Sequence, residues 1–182
     1  MPTRGSLGRA RVEWADDALA SDTEFLRVQL ELSHLFALGR EVVFAASART
    51  GIVAPLGKTE EVPLTERLFN GGENSVRSFR EDELLPRGVS GQPLGGEAAS
   101  TLNLELRLPL TGNLAGSLFF DAGNVAEEVG DYLDFAGFRT GLGLGARYLL
   151  PIGPVRVDVG WNPAPKDDED EFVAHFSLGF PF

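Results

Sequence analysis

Phe172, Ala174, Phe176, Leu178, Phe180 and Phe182 occupy every second position in the last stretch of the chain, Glu171 to Phe182. Residues two apart on a strand share a face, so this segment presents one almost wholly apolar face and one small or polar face. A helix does not account for the pattern, because its period is 3.6 rather than two. A strand this apolar needs a cover, which is either a second protein layer or the hydrocarbon of a bilayer.

The same alternation recurs upstream. Ala10, Val12 and Trp14 interleave with Arg9, Arg11 and Glu13, and Leu26, Val28, Leu30 and Leu32 with Arg27, Gln29, Glu31 and Ser33. Val42, Phe44, Ala46 and Ala48 oppose Val43, Ala45, Ser47 and Arg49. Leu102, Leu104, Leu106 and Leu108 oppose Asn103, Glu105 and Arg107; Leu118, Phe120 and Ala122 oppose Phe119, Asp121 and Gly123. Leu142, Leu144, Ala146 and Tyr148 alternate with Gly141, Gly143, Gly145 and Arg147, and Val155, Val157, Val159 and Trp161 with Arg156, Asp158 and Gly160. With the terminal run, about eight strands are expected, each near the length of a tilted membrane strand.

The connections alternate in length. Short turns are expected at Ala37–Arg40, Pro109–Asn113 and Leu150–Pro154, and long polar ones at Ala15–Thr23, Thr50–Gly95, Asn124–Gly137 and Asn162–Asp170. Short periplasmic turns facing longer external loops are the pattern of an outer-membrane barrel. The fold class read here is all-β, an antiparallel transmembrane β-barrel.

Composition removes several function classes. The chain has 182 residues, 43% of them hydrophobic and 24% charged, which suits one domain and excludes disorder. A net charge of −11 argues against nucleic acid. With no cysteine, disulfides, thiol nucleophiles and thiolate metal sites are excluded. Met1 to Ser6 open no apolar run, so no signal peptide is expected in this stretch. His34 and His175 have neither metal-ligand spacing nor a G-x-S-x-G partner, and His175 reads as an inward hydrogen-bonding residue. No enzyme activity, metal or cofactor is expected. Gly141-Leu-Gly-Leu-Gly145 continues as a strand rather than opening a helix, so it is no dinucleotide loop; its glycines leave inward space. Asp167 to Glu171 lack the spaced ligands of a calcium loop and read as a solvated loop.

The long loop, residues 50–95, is the anomaly. It carries Phe69-Asn-Gly-Gly-Glu-Asn-Ser-Val-Arg-Ser-Phe79, an arginine among apolar residues after paired glycines, which suits docking rather than a mobile external loop. Arg77 on such a loop needs an anionic partner, since an unpaired guanidinium away from water is costly. Asp121 and Glu105 lie on the inward faces of neighbouring strands.

Gly71, Gly72, Val76, Arg77, Ser78 and Phe79 resemble the loop-six signature of the BamA/TamA outer-membrane assembly superfamily, the bacterial surface antigen barrel domain. Phe119, Asp121 and Gly123 resemble its F-x-D-x-G strand motif. Ala99 to Pro109 and Arg147 to Trp161 are similar to the strand after that loop and to the penultimate hairpin. The closing Phe176, Leu178, Phe180 and Phe182 are similar to the C-terminal insertion signal of bacterial barrels. One departure is Ser78, where the family has glycine; a positive φ there would strain serine.

The resemblance implies a sixteen-strand barrel of which residues 1–182 are the C-terminal half, without POTRA domains. It implies that Arg77 is held by Asp121 and Glu105. Eight strands closed alone leave an interior filled by side chains, with no room for Phe69 and Phe79. An incomplete barrel is therefore expected: a fragment, a domain awaiting its other half, or two copies pairing. The implied setting is the outer membrane of a diderm bacterium or a related organelle. The implied partners are the bilayer and lipopolysaccharide, client outer-membrane proteins, and assembly lipoproteins or the missing N-terminal barrel half. The implied work is inserting β-barrels, or translocating polypeptide, with client strands pairing at a seam between first and last strands. A small structural or pore-forming barrel is the alternative.

Overall fold

The computed structural model describes all residues except 1, 2, 20, 40, 85, 87–93, 133–136, 151, 152 and 179–182. Eight strands form one antiparallel sheet in chain order: β1 (Gly5–Ala15), β2 (Phe25–Gly39), β3 (Val42–Pro55), β4 (Ala98–Thr111), β5 (Leu114–Ala126), β6 (Arg139–Leu150), β7 (Gly153–Trp161) and β8 (Phe172–Leu178). Among the described residues the edge strands β1 and β8 do not pair with each other, so the sheet is an unclosed barrel wall. Among the described residues no helix is long and apolar enough to cross a membrane.

The distribution of polarity is the reverse of a soluble sandwich. Leu144, Phe176 and Leu178 on the outward face are 63%, 68% and 71% exposed, while Glu105, Asp121 and Asp158 on the inward face are buried. Burying a large apolar side chain is worth about 1.5–3 kcal/mol, so whole rows of them in water would not persist. Lipid is the medium that these rows fit. Aromatic residues mark two levels on the outward face. Trp14, Trp161 and Phe172 sit at the long-loop end, and Phe36, Phe44 and Tyr148 near the short turns. Such girdles lie at the two membrane interfaces.

The short turns follow local chemistry. Thr111 pairs with Leu114 across Gly112-Asn113, and Gly112 has φ 54°, the left-handed geometry of a tight hairpin. The third strand runs further than its alternation suggests. Thr50 and Gly51, read as the start of the long loop, pair with Ser100 and Ala99 of β4, and the strand continues to Pro55. Val53 drives the extension by packing with Phe25 and Val62 in a buried cluster. The long connection is thus residues 56–97.

Candidate functional site

The connection between β3 and β4 folds back across the inward face of β4–β8. Its two limbs are joined by an antiparallel bridge in which Leu68 N–H donates to Gly96 O at 2.8 Å and Gly96 N–H to Leu68 O at 2.9 Å. The Arg67 guanidinium adds bonds to Val62 O (2.9 Å) and Leu94 O (3.3 Å). Beyond this stem, the Asn70 amide donates to Ser100 O and Thr101 Oγ1, each at 3.0 Å, and to Asn124 O at 3.2 Å, fastening the loop to β4 and β5.

Gly71 and Gly72 turn the chain with φ of 107° and 105°. A Cβ on Gly71 would lie 2.6 Å from Arg80 O, so both the angle and the space demand glycine. The tip is a turn closed by Phe79 N–H to Val76 O at 3.1 Å. Val76 and Phe79 are fully buried with Leu84 and packed against Val125 of β5. Ser78 is unstrained: the non-glycine residues with positive φ among those described are Glu41 and Asp82. Its hydroxyl lies against Gly141, where a Cβ would overlap it.

At the tip, Arg77 Nε donates to Asp121 Oδ2 at 2.8 Å and Nη2 to Asp121 Oδ1 at 2.9 Å, a two-pronged fork. The Arg77 backbone N–H also reaches Asp121 Oδ2, at 3.1 Å. Nη1 donates to Glu105 Oε2 at 2.7 Å, and the guanidinium carbon stands 3.6 Å over the Phe119 ring. All three charged side chains are buried. Charge-assisted forks of this kind are among the stronger polar contacts, and the ring face adds a cation–π term.

The strand motif gains a physical reading from β5. Phe119, Asp121 and Gly123 are successive inward positions, supplying a ring beneath Arg77, its carboxylate, and empty space. A Cβ on Gly123 would come within 2.8 Å of both Asn70 Nδ2 and Val76 Cγ2.

The geometry brings together the loop motif, Arg77, Glu105, Asp121, Phe119 and Gly123. Phe176 and Leu178 stand apart on the outward face of β8; Phe180 and Phe182 lie outside the described residues. Several participants were not singled out from sequence, and they are joined by His175, which reads there as an inward hydrogen-bonding residue. Arg107 Nε and Arg147 Nη2 approach the Glu105 carboxylate at 2.7 and 2.6 Å, so three guanidinium groups share it. Arg156 Nε lies 2.8 Å from Asp158 Oδ2, which is 3.7 Å from Arg77 Nη1. Asn103 bridges Asp121 Oδ1 (2.8 Å) and Ser75 O (2.5 Å), and the ring of His175 meets Arg77 O at 3.0 Å. All of these sit at inward positions of the alternation. Charge at inward positions marks Arg107, Arg147, Arg156 and Asp158 as inward groups, but not which partners they meet, and it does not mark the neutral Asn103.

Of the inward glycines, Gly141 and Gly160 make room for the tip, Gly160 beneath the Arg77 carbonyl. Gly143 instead clears the Phe119 ring, and Gly145 clears Asp158 and Ser117. Outside the wall, Arg139 forks onto Glu169 at 2.8 and 2.6 Å, and Arg80 pairs with Asp170, so the β7–β8 loop is fastened to β6 and to the long loop. Burial alone would raise the Glu169 carboxyl. Hydrogen bonds from Arg139, the Lys166 N–H and Asn162, with the Arg139 charge, outweigh it and hold Glu169 below the usual range.

A family model described as the Omp85 superfamily domain matches residues 1–182. The outer membrane protein assembly factor BamA of Nitratidesulfovibrio vulgaris is 26% identical over 98% of this chain and 23% of its own length. A SAM50-like protein of Schizosaccharomyces pombe is 31% identical over 88% of this chain and 38% of its own. The crystal structure of BamA from Haemophilus ducreyi lacking POTRA domains 1-3 superposes with TM-score 0.79 at 21% identity, over 95% of this chain and 38% of that one. The chain spans about a quarter of the length of the bacterial curated relatives it matches.

Proposed function

Because this chain belongs to the Omp85 superfamily, we propose that it forms the C-terminal half of the barrel of a factor that inserts β-barrel proteins into an outer membrane. Its place is an outer membrane, as for relatives named outer membrane protein assembly factors. The work is non-enzymatic: no covalent bond in the client is made or broken, and the barrel supplies a surface on which strands pair. Its partners are the bilayer with its lipopolysaccharide, client barrel proteins, accessory lipoproteins, and the strands that complete the wall.

The observation that carries the proposal is the inward fold of the long loop, with Arg77 forked onto Asp121 and bonded to Glu105. Loops fold into other barrels as well, so what favours an assembly factor is the Arg77 fork at the loop tip in a chain of the Omp85 superfamily, not the inward course of the loop alone. An assembly factor must hold a wide, incompletely packed barrel in shape while one edge works on a client. In this reading the Arg77 network is the anchor that keeps the loop docked as a strut across β4–β8.

The test is insertion of a client barrel into proteoliposomes by the full-length protein carrying Arg77→Ala or Arg77→Lys. Charge-assisted bonds are worth roughly 1.5–3 kcal/mol each, so Arg77→Ala is expected to slow insertion by about tenfold or more. Arg77→Lys keeps the charge but loses the fork, and is expected to fall between. Insertion at the parent rate by the alanine variant would count against the anchor.

A further inference from the structure

Strand β8 is the edge of the sheet, and among the described residues its backbone pairs with β7 alone, from Trp161↔Phe172 to Val155↔Leu178. Its seven described residues are an edge strand, bonded on one side and leaving the other side open to a further strand. One inward side chain breaks this isolation. His175 Nε2 lies 3.0 Å from the carbonyl oxygen of Arg77, the residue at the centre of the loop tip. A carbonyl oxygen only accepts, so Nε2 carries the proton and donates.

The neighbourhood explains why this contact forms. His175 stands opposite Asp158 of β7, and Val173 opposite Gly160. Gly160 lets the Arg77 carbonyl descend onto the wall, because any Cβ there would overlap that carbonyl. Descending, the carbonyl comes within reach of the next strand. One residue of the tip thus has its N–H on Asp121 of β5, its guanidinium on β4 and β5, and its carbonyl on β8.

We infer that His175 couples the edge strand to the loop tip, so that release of β8 loosens the docked loop and undocking of the loop loosens β8. The inference rests on the docked-loop reading above and deepens it by naming the route to the edge. Such coupling is reciprocal by thermodynamic necessity. A disturbance of the edge, such as a strand of another protein pairing with it, would therefore be felt at the tip.

Hydrogen–deuterium exchange of the full-length protein in lipid nanodiscs tests it, reading residues 173–178 and 76–79 separately. Arg77→Ala and His175→Phe are each expected to speed exchange in both segments by about tenfold, the order of one hydrogen bond in a local opening equilibrium. The double variant is expected to add little beyond Arg77→Ala, since undocking the tip already withdraws the backbone carbonyl that His175 bonds. His175→Gln, which retains a side-chain N–H donor, is expected to stay near the parent.

If Arg77→Ala frees residues 76–79 but leaves 173–178 unchanged, the coupling is overturned while the docked loop stands. If Arg77→Ala changes neither segment, the docked-loop reading itself fails. If His175→Gln exchanges as fast as His175→Phe, the hydrogen bond is not the link and the assignment of His175 falls. Should His175→Phe unsettle the whole sheet, the effect of Arg77→Ala on residues 173–178 decides.

Discussion

Glu105 accepts from Arg77, Arg107 and Arg147, and this crowding shows how single residues hold the interior. Buried charge is tolerated only when paired, and here Glu105 answers three guanidinium groups, Asp158 two, and Asp121 the fork of Arg77. Glu169 shows the same principle outside the membrane, where it can be titrated. Its folded carboxyl sits below the ordinary range, so its bond to Arg139 stabilises the loop above the unfolded carboxyl value of about 4.3. That contribution is lost as pH falls through the depressed folded value. Limited proteolysis of the loop at 162–171 is therefore expected to stay slow from neutral pH down through the ordinary glutamate range and to accelerate only below it. Glu169→Gln is expected to be cut faster already at neutral pH; cleavage that is the same for both proteins across the range would contradict the latch.

At the scale of elements, the inward glycines decide how closely the loop approaches β6 and β7. Gly160→Val would push the Arg77 carbonyl off the wall, at a cost of about 1–3 kcal/mol for overpacking. It is expected to open residues 71–84 to protease, whereas Gly116→Ala, whose Cβ would meet Leu110 at an ordinary 3.5 Å, is expected to leave cleavage unchanged. Equal protection in both variants would show that the glycine strip does not seat the loop. The strands themselves were legible because a side chain's face is fixed by parity alone, from Leu102–Leu108 through Phe172–Leu178. Parity also set Arg77's partners on the inward side, and the loop signature named them. Parity does not reveal which inward groups meet across strands, since that depends on register and on where a loop descends. Arg147 and Arg107 therefore converge on Glu105, and His175 on the Arg77 carbonyl, without a sequence signal. Thr50 and Gly51 misled for the converse reason: their composition suits a turn, yet pairing with β4 and the packing of Val53 hold them in β3.

At the scale of the whole molecule, the sheet is half a barrel: inward charge, outward hydrocarbon-facing rows and, among the described residues, two unpaired edges. The inward face of β1–β3 is open, forming with the loop a trough of about 770 Å³ lined by Arg9, Arg11, Glu31 and Arg49. The polar side of this wall suits a watery lumen and the other side suits only lipid. Spin labels placed singly along 28–33 of β2 in the bilayer-reconstituted full-length protein, with any cysteines outside this stretch replaced, test that division directly. This stretch has no cysteine of its own, and the open trough leaves room for labels on the inward side. Labels at Val28, Leu30 and Leu32 are expected to collide with oxygen dissolved in lipid, and those at Gln29, Glu31 and Ser33 with a water-soluble nickel chelate, alternating at every residue. Nickel access that is uniform along the strand, or that repeats every three to four residues, would contradict the barrel on which the rest depends.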